Sequence, residues 1–140
     1  MQIDGYRPHG KRHETDELHM FLAEVVVQFL SEASAPGSRS RPHARKVGAT
    51  LESIRRNGLQ GLNNNTLFKA EGKYPSGQPG MADMVVYAVK SDQVRVYGGI
   101  VRIKGQSAFL CPQGVIKKDQ KADRVLLEKV AKVLGIYHER

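Results

Sequence analysis

The sequence predicts an α+β fold: two N-terminal helices and a C-terminal helix packed on a small antiparallel sheet. Three observations carry this expectation. Apolar residues recur at spacings of three and four through Leu18 to Ile54, the period drops to two between Met84 and Ile116, and helical spacing returns from Leu126 to Leu134. A chain of 140 residues fits one domain, because this length buries about two thirds of its unfolded surface around a single core. The expected domain is therefore 1–140, with no internal repeat.

Residues 1–13, "MQIDGYRPHGKRH", mix charge, Gly and Pro without periodicity and predict an irregular arm with room for a short edge strand. From Thr15, the residues Leu18, Phe21, Leu22, Val25, Val26, Phe29 and Leu30 fall at helical spacing, with Asp16 and Glu17 at the positive end of the dipole. They predict the first helix. "SEASAPGSRSRP" reads as a connector. Ser40 ahead of Pro42 opens a second helix with a Val47, Leu51, Ile54 stripe, and Asn57-Gly58 ends it.

Loop chemistry dominates from 59 to 82, through Asn63-Asn64-Asn65 and "GKYPSGQPG", with one short strand expected over Thr66 to Ala70. "DMVVYAVK", "QVRVYGGIVRIK" and "SAFLCPQGVIKK" then alternate with period two and are divided by turn residues, which predicts an antiparallel meander. The last helix is expected from Asp119 or Lys121 to Leu134, burying Leu126, Leu127, Val130, Ala131 and Leu134, with Gly135 past its end. Helices on one face would leave the other face of the sheet open.

Twenty-two Lys and Arg against 14 Asp and Glu give a formal charge of +8, which favours a polyanionic partner: nucleic acid first, an acidic protein second. A lone Cys111 excludes an internal disulfide framework and a cysteine-built zinc site, and is expected buried in a reducing cytosol. The most apolar stretch, "FLAEVVVQFL", is too short to span a bilayer, and the opening residues carry no signal-peptide pattern. The expected setting is cytoplasmic, away from membranes. "HETDELH" lacks the i, i+4 histidine pair of a zinc-protease helix, and "AEGKYPSG" lacks the Walker spacing, so no metal or cofactor is expected.

The cations that alternation gathers on the meander are the candidate binding residues. Arg95 and Tyr97 share a face, Arg102 and Lys104 follow on the same strand, Lys90 ends the strand before, and Lys117 and Lys118 end the strand after. Cations interleaved with aromatic rings suit a phosphodiester backbone and its bases. Gly98-Gly99 reads either as a bulge or as a place where a ligand approaches the backbone. Tyr137 and His138, beyond the last helix, are candidate acid/base groups.

Several stretches together resemble the RelE/HigB-type toxins of bacterial and phage toxin–antitoxin pairs. "VVVQFLSEA" and "ARKVGATLESIRRNGL" are similar to that family's paired helices, "MVVYAVKSDQVRVYGG" to the strands bearing its arginine, and "GVIKKDQKADRVLLEKVAKVLG" to its last strand, Lys-Lys pair and closing helix. The likeness spans roughly residues 18 to 135, in order. Ala122-Asp123 stands where the family has a Thr-Pro helix opening, and no tyrosine lies early in the last helix. The resemblance implies a ribosome-associated, metal-independent endoribonuclease that cleaves mRNA and is silenced by an antitoxin protein. It makes Arg95, Lys117 and Lys118 the catalytic residues and Lys90 a supporting one. As the alternative it admits a binder without cleavage: a gyrase-inhibiting toxin or an inactive RNA-binding relative.

Overall fold

The computed structural model describes residues 1–60, 66–118 and 123–140. Along the chain come β1 (Tyr6–Pro8), β2 (His19–Ala23), α1 (Glu24–Ala33), α2 (Arg41–Asn57), β3 (Phe68–Tyr74), β4 (Met84–Ser91), β5 (Val94–Ile103), β6 (Gln106–Ile116) and α3 (Arg124–Tyr137). The strands form one mixed sheet in the order β1-β2-β6-β5-β4-β3. The architecture is α+β. The meander β4-β5-β6 forms as its alternation predicts, while Asn63-Asn64-Asn65 and the expected helix start at Asp119 or Lys121 lie outside the described residues.

The first helix differs most from expectation. Residues 19 to 23 form a strand, parallel to β6 with Phe21 opposite Leu110, and the helix begins only at Glu24. The two helices therefore do not open the fold, and the sheet is not wholly antiparallel. The physical reason is that "MFLA" is buried on both faces: Met20 and Leu22 join the core beneath α1 and α2, while Phe21 joins the core beneath α3. A strand buried on both sides reads as a continuous apolar run, which helical spacing imitates over a few residues. Val25, expected in the stripe, is 56% exposed.

The layers also differ. α1 and α2 pack on one face and α3 on the other, so the face expected to be open is covered along much of its length by Leu127, Val130, Ala131 and Leu134 against Val86, Tyr97, Val101 and Leu110. On the first face, Val47, Leu51 and Ile54 of α2 are fully buried, each contributing roughly 2 kcal/mol of transfer free energy. The stripe, and the stop at Gly58 (φ 70°) whose N–H bonds the Ile54 carbonyl at 2.8 Å, match the sequence reading.

Three smaller elements depart from it. β3 starts and ends later than Thr66 to Ala70, taking in the Gly-Lys-Tyr of "GKYPSGQPG". The amino-terminal arm supplies β1, which pairs antiparallel with β2 and covers its edge. α3 runs through Gly135 to Tyr137, because Gly135 packs where a Cβ would lie 2.2 Å from the Ser76 carbonyl oxygen: the glycine serves close packing, not termination. Among the described residues no helix is long and apolar enough to cross a membrane.

A bulge breaks the β5–β6 register between Tyr97 and Gly99. A Cβ on Gly98 would meet the Leu110 carbonyl oxygen at 2.5 Å, and one on Gly99 would meet Leu134 Cδ1 at 2.6 Å and the Val85 carbonyl oxygen at 2.7 Å. Of the two readings open for this pair, the packing one holds, since the core itself occupies the space. Gly98→Ala should therefore lower unfolding free energy by about 2 kcal/mol in urea titration, the cost of overpacking a strand that cannot retreat.

The arm is tied to α2 by a buried ion pair. Arg55, 2% exposed, donates from Nε to Asp16 Oδ2 at 3.1 Å and from Nη1 to the His9 carbonyl at 2.6 Å, and Asp16 Oδ2 also accepts from the His13 N–H at 2.7 Å. The His13 N–H and then Arg55 hold the Asp16 carboxyl below its ordinary value. A carboxyl depressed in the folded state adds stability above its unfolded pKa, and that stability is lost as pH falls through the folded value. Asp16→Asn should flatten the acid side of a plot of melting temperature against pH; an unchanged acid limb would remove Asp16 from acid unfolding.

Candidate nucleic-acid interface

α3 covers only part of its face. Beyond its amino-terminal end, at the tip of the β4–β5 hairpin and the end of β6, the side chains of this face are only half-buried among the described residues. There Lys90 of β4 lies directly opposite Arg95 of β5, which lies opposite Val115 of β6, so period two sends all three side chains to one face. Lys69 of β3, opposite Ala88, joins the same face, and Lys117 leaves the end of β6 with its N–H bonded to the Gln93 carbonyl at 2.7 Å. Lys118 follows, exposed.

Electrostatics show how close these cations stand. Partial burial lowers the pKa of Lys90, and Arg95, Lys69 and Lys117 lower it further against an opposing pull from Glu71. Among the described residues Lys69, Lys90, Arg95 and Lys117 make no ion pair. Arg95 Nη1 donates to the carbonyls of Asp92 and of Val94, the latter at 3.3 Å, so the hairpin orients the guanidinium. Its remaining N–H groups are left for an anion.

Of the sequence-nominated residues, Lys90, Arg95 and Lys117 come together, with Lys118 beside them. Tyr97 lies beneath them, 2% exposed, its hydroxyl pKa raised by burial and by Glu71: it is core, not a stacking platform. Arg102 and Lys104 stand at the other end of β5, Arg102 about 23 Å along the strand from Arg95. The bulge does not return them to the cluster.

Tyr137 and His138 lie at that far end too. The His138 Nδ1 accepts from the Arg102 N–H at 2.9 Å, and the Glu139 N–H bonds the Arg102 carbonyl at 2.8 Å. The tail thus pairs with the stretch of β5 beyond Gly98, where the β4 ladder stops. Tyr137 packs edge-on against Tyr6 at 5.5 Å, and burial, then Tyr137 and Cys111, push Tyr6 up to about 12. These residues have structural duties and do not face Arg95.

Sequence reasoning missed Lys69 and His43. Lys69 falls inside the strand expected over Thr66 to Ala70, but only the pairing of β3 with β4, which sets it opposite Ala88, brings it to the cluster. His43, in the first turn of α2, places Nδ1 2.8 Å from Ser91 Oγ and Nε2 3.9 Å from Asp92 Oδ2, on the opposite face of the hairpin tip. Only the packing of α2 against β4 brings it there. Cys111 is fully buried, which raises its thiol pKa and keeps it out of chemistry. Among the described residues no three His, Cys, Asp or Glu side chains gather as metal ligands would.

No family model, curated protein or solved structure matches the chain. The interface is thus defined by its geometry: a small α+β domain presenting a cationic sheet end that makes no ion pair among the described residues. Because partial burial, and then Arg95, Lys69 and Lys117, lower the Lys90 pKa, nitrogen-detected NMR of the lysine side chains should find it titrating below an ordinary lysine. Lys69→Gln should move it back up; an unmoved Lys90 would show that the cations do not interact.

Proposed function

We propose that the protein is the toxin component of a toxin–antitoxin pair, a cytoplasmic endoribonuclease that binds mRNA on the ribosome through the sheet end and is silenced by an antitoxin protein. The observation that carries this reading is the Lys90–Arg95 cross-strand pair, flanked by Lys69 and Lys117 with no acid paired to any of them among the described residues. Four adjacent cations repel one another, and a phosphodiester relieves that repulsion. β1 and β2 precede α1, a departure from the arrangement that the resemblance implies, so the reading is supported by this cluster and not by the fold.

In this reading Arg95 and Lys118 hold the scissile phosphate. Lys90, its pKa lowered, takes the proton of the ribose 2′-hydroxyl. The 2′-oxygen bonds to phosphorus, the bond from phosphorus to the 5′-oxygen breaks, and the Lys117 ammonium protonates that leaving oxygen. The products are a 2′,3′-cyclic phosphate and a free 5′-hydroxyl. Neither a metal nor a cofactor takes part.

A second reading, an RNA binder without cleavage, is favoured by the position of Tyr137 and His138 at the opposite end of the sheet and by the burial of Tyr97. Ribosome-dependent cleavage of mRNA by purified protein separates the two. Under the first reading, Lys117→Gln with Lys118→Gln gives a folded protein whose cleavage falls at least ~10-fold, about 1.4 kcal/mol of transition-state interaction. Arg95→Ala abolishes cleavage without unfolding, since the side chain lies outside both cores. RNA retained without cleavage by the wild type selects the second reading, and a salt-independent affinity would sink both.

A further inference from the structure

The motif "EGKYPSG" is not used by the sheet-end site, and the structure gives it a place. Lys73, Tyr74 and Pro75 line one wall of a cleft whose other wall is α3, with Arg124, Glu128 and Lys132; its volume is about 390 Å³. That lies in the range of small-molecule sites. The walls are braced. β3 bulges at Gly72 (φ 139°), and the Tyr74 ring edge comes to 3.4 Å from where a Cβ on Gly72 would sit, so the glycine leaves room for the ring. Gly77 packs on the Lys132 stem, with the same imaginary atom 3.3 Å from Cγ, directing the ammonium to the cleft.

The cleft also adjoins the cationic sheet end. Tyr74, opposite Met84, takes the same face of the sheet as Lys69, opposite Ala88, about 17 Å away at strand rise, a distance a single-stranded nucleic acid covers in a few nucleotides. Three cations meet one acid in the lining, and that acid is engaged: Arg124 Nε donates to Glu128 Oε1 at 3.0 Å. A tyrosine ring beside lysines is what a stacked base and its phosphate require.

We infer that the cleft between β3 and α3 is a second nucleotide subsite, in which a base of single-stranded RNA stacks on Tyr74 while its phosphate meets Lys132. The inference rests on the reading of the sheet end as an RNA site and extends it from one phosphate to a strand path. It assigns the "EGKYPSG" stretch to substrate grip and predicts that affinity depends on RNA length.

The test is fluorescence anisotropy with labelled 2′-O-methyl RNA, which cannot be cleaved, as a trinucleotide and as a decanucleotide. Lys90→Gln should weaken both. Tyr74→Ala, and separately Lys132→Gln, should weaken the decanucleotide about tenfold and leave the trinucleotide unchanged, while Tyr74→Phe keeps the stacking and the affinity. The Lys132 variant, exposed and remote from the core, keeps the test valid if Tyr74→Ala does not fold. Unchanged decanucleotide affinity in the Lys132 variant, with Lys90→Gln still weakening it, overturns the cleft and leaves the sheet-end reading. Loss confined to the cleft variants overturns the sheet-end reading instead. Equal weakening of both lengths by the cleft variants reduces the cleft to bulk charge, and no binding of either RNA overturns both proposals.

Discussion

The parallel pairing of β2 with β6 is the constraint on which the rest of the molecule depends. Joining residues 19 to 22 to residues 108 to 111 moves the last strand into the middle of the sheet, with β2 on one side and β5 on the other. α1 and α2, which follow β2, must then cross one face, and α3, which follows β6, closes over the other. Because β2 accompanies β6 only as far as Cys111, the later part of β6 runs on with β5 alone. That overhang, with the β4–β5 tip beside it, is covered on one face by α1 and α2, through Phe29 against Gly114 and His43 against Ser91, and on its other face Lys90, Arg95 and Lys117 gather.

The two ends of the sheet consequently differ. At one end the tail residues His138 and Glu139 satisfy β5 backbone groups that β4 has abandoned, and Tyr137 closes against Tyr6. Polar groups there are consumed by the fold. At the other end the backbone is satisfied within the hairpin, and the cations are left without partners among the described residues. Arg95 and Arg55 illustrate the contrast. Arg55 is enclosed with Asp16 and the His9 carbonyl, where loss of either partner would strand a buried charge, whereas among the described residues Arg95 bonds carbonyls of its own turn and no acid.

Lys90 links packing to chemistry. Its pKa is lowered first by the desolvation that burial in the sheet imposes and then by the cations that the sheet register places beside it. A one-residue slip in β4 would send Lys90 to the α2 face and Ser91 to the cationic one, reversing both environments. The core and the site are thus set by the same register, pinned by the Gly98-Gly99 bulge, whose lack of side chains lets β6 and Leu134 close on β5.

The sequence by itself determined the α+β class, the meander, the extent of α2 through Gly58, the burial of Cys111, and the excess of cations that nominates Arg95, Lys90 and the Lys117-Lys118 pair. These follow from local periodicity, turn residues and charge, which do not depend on distant neighbours. Only the tertiary structure decided that "HMFLA" is a strand, because a stretch buried on both faces carries no polar phase to mark its period. Only it covered one face with α3, sank Tyr97 into the core, sent Arg102, Lys104, Tyr137 and His138 to the far end, and brought in Lys69 and His43. Alternation along a strand fixes which face a side chain takes; how far along the sheet it stands from its functional neighbours, and whether another element covers it, depends on register and packing between segments distant in the chain.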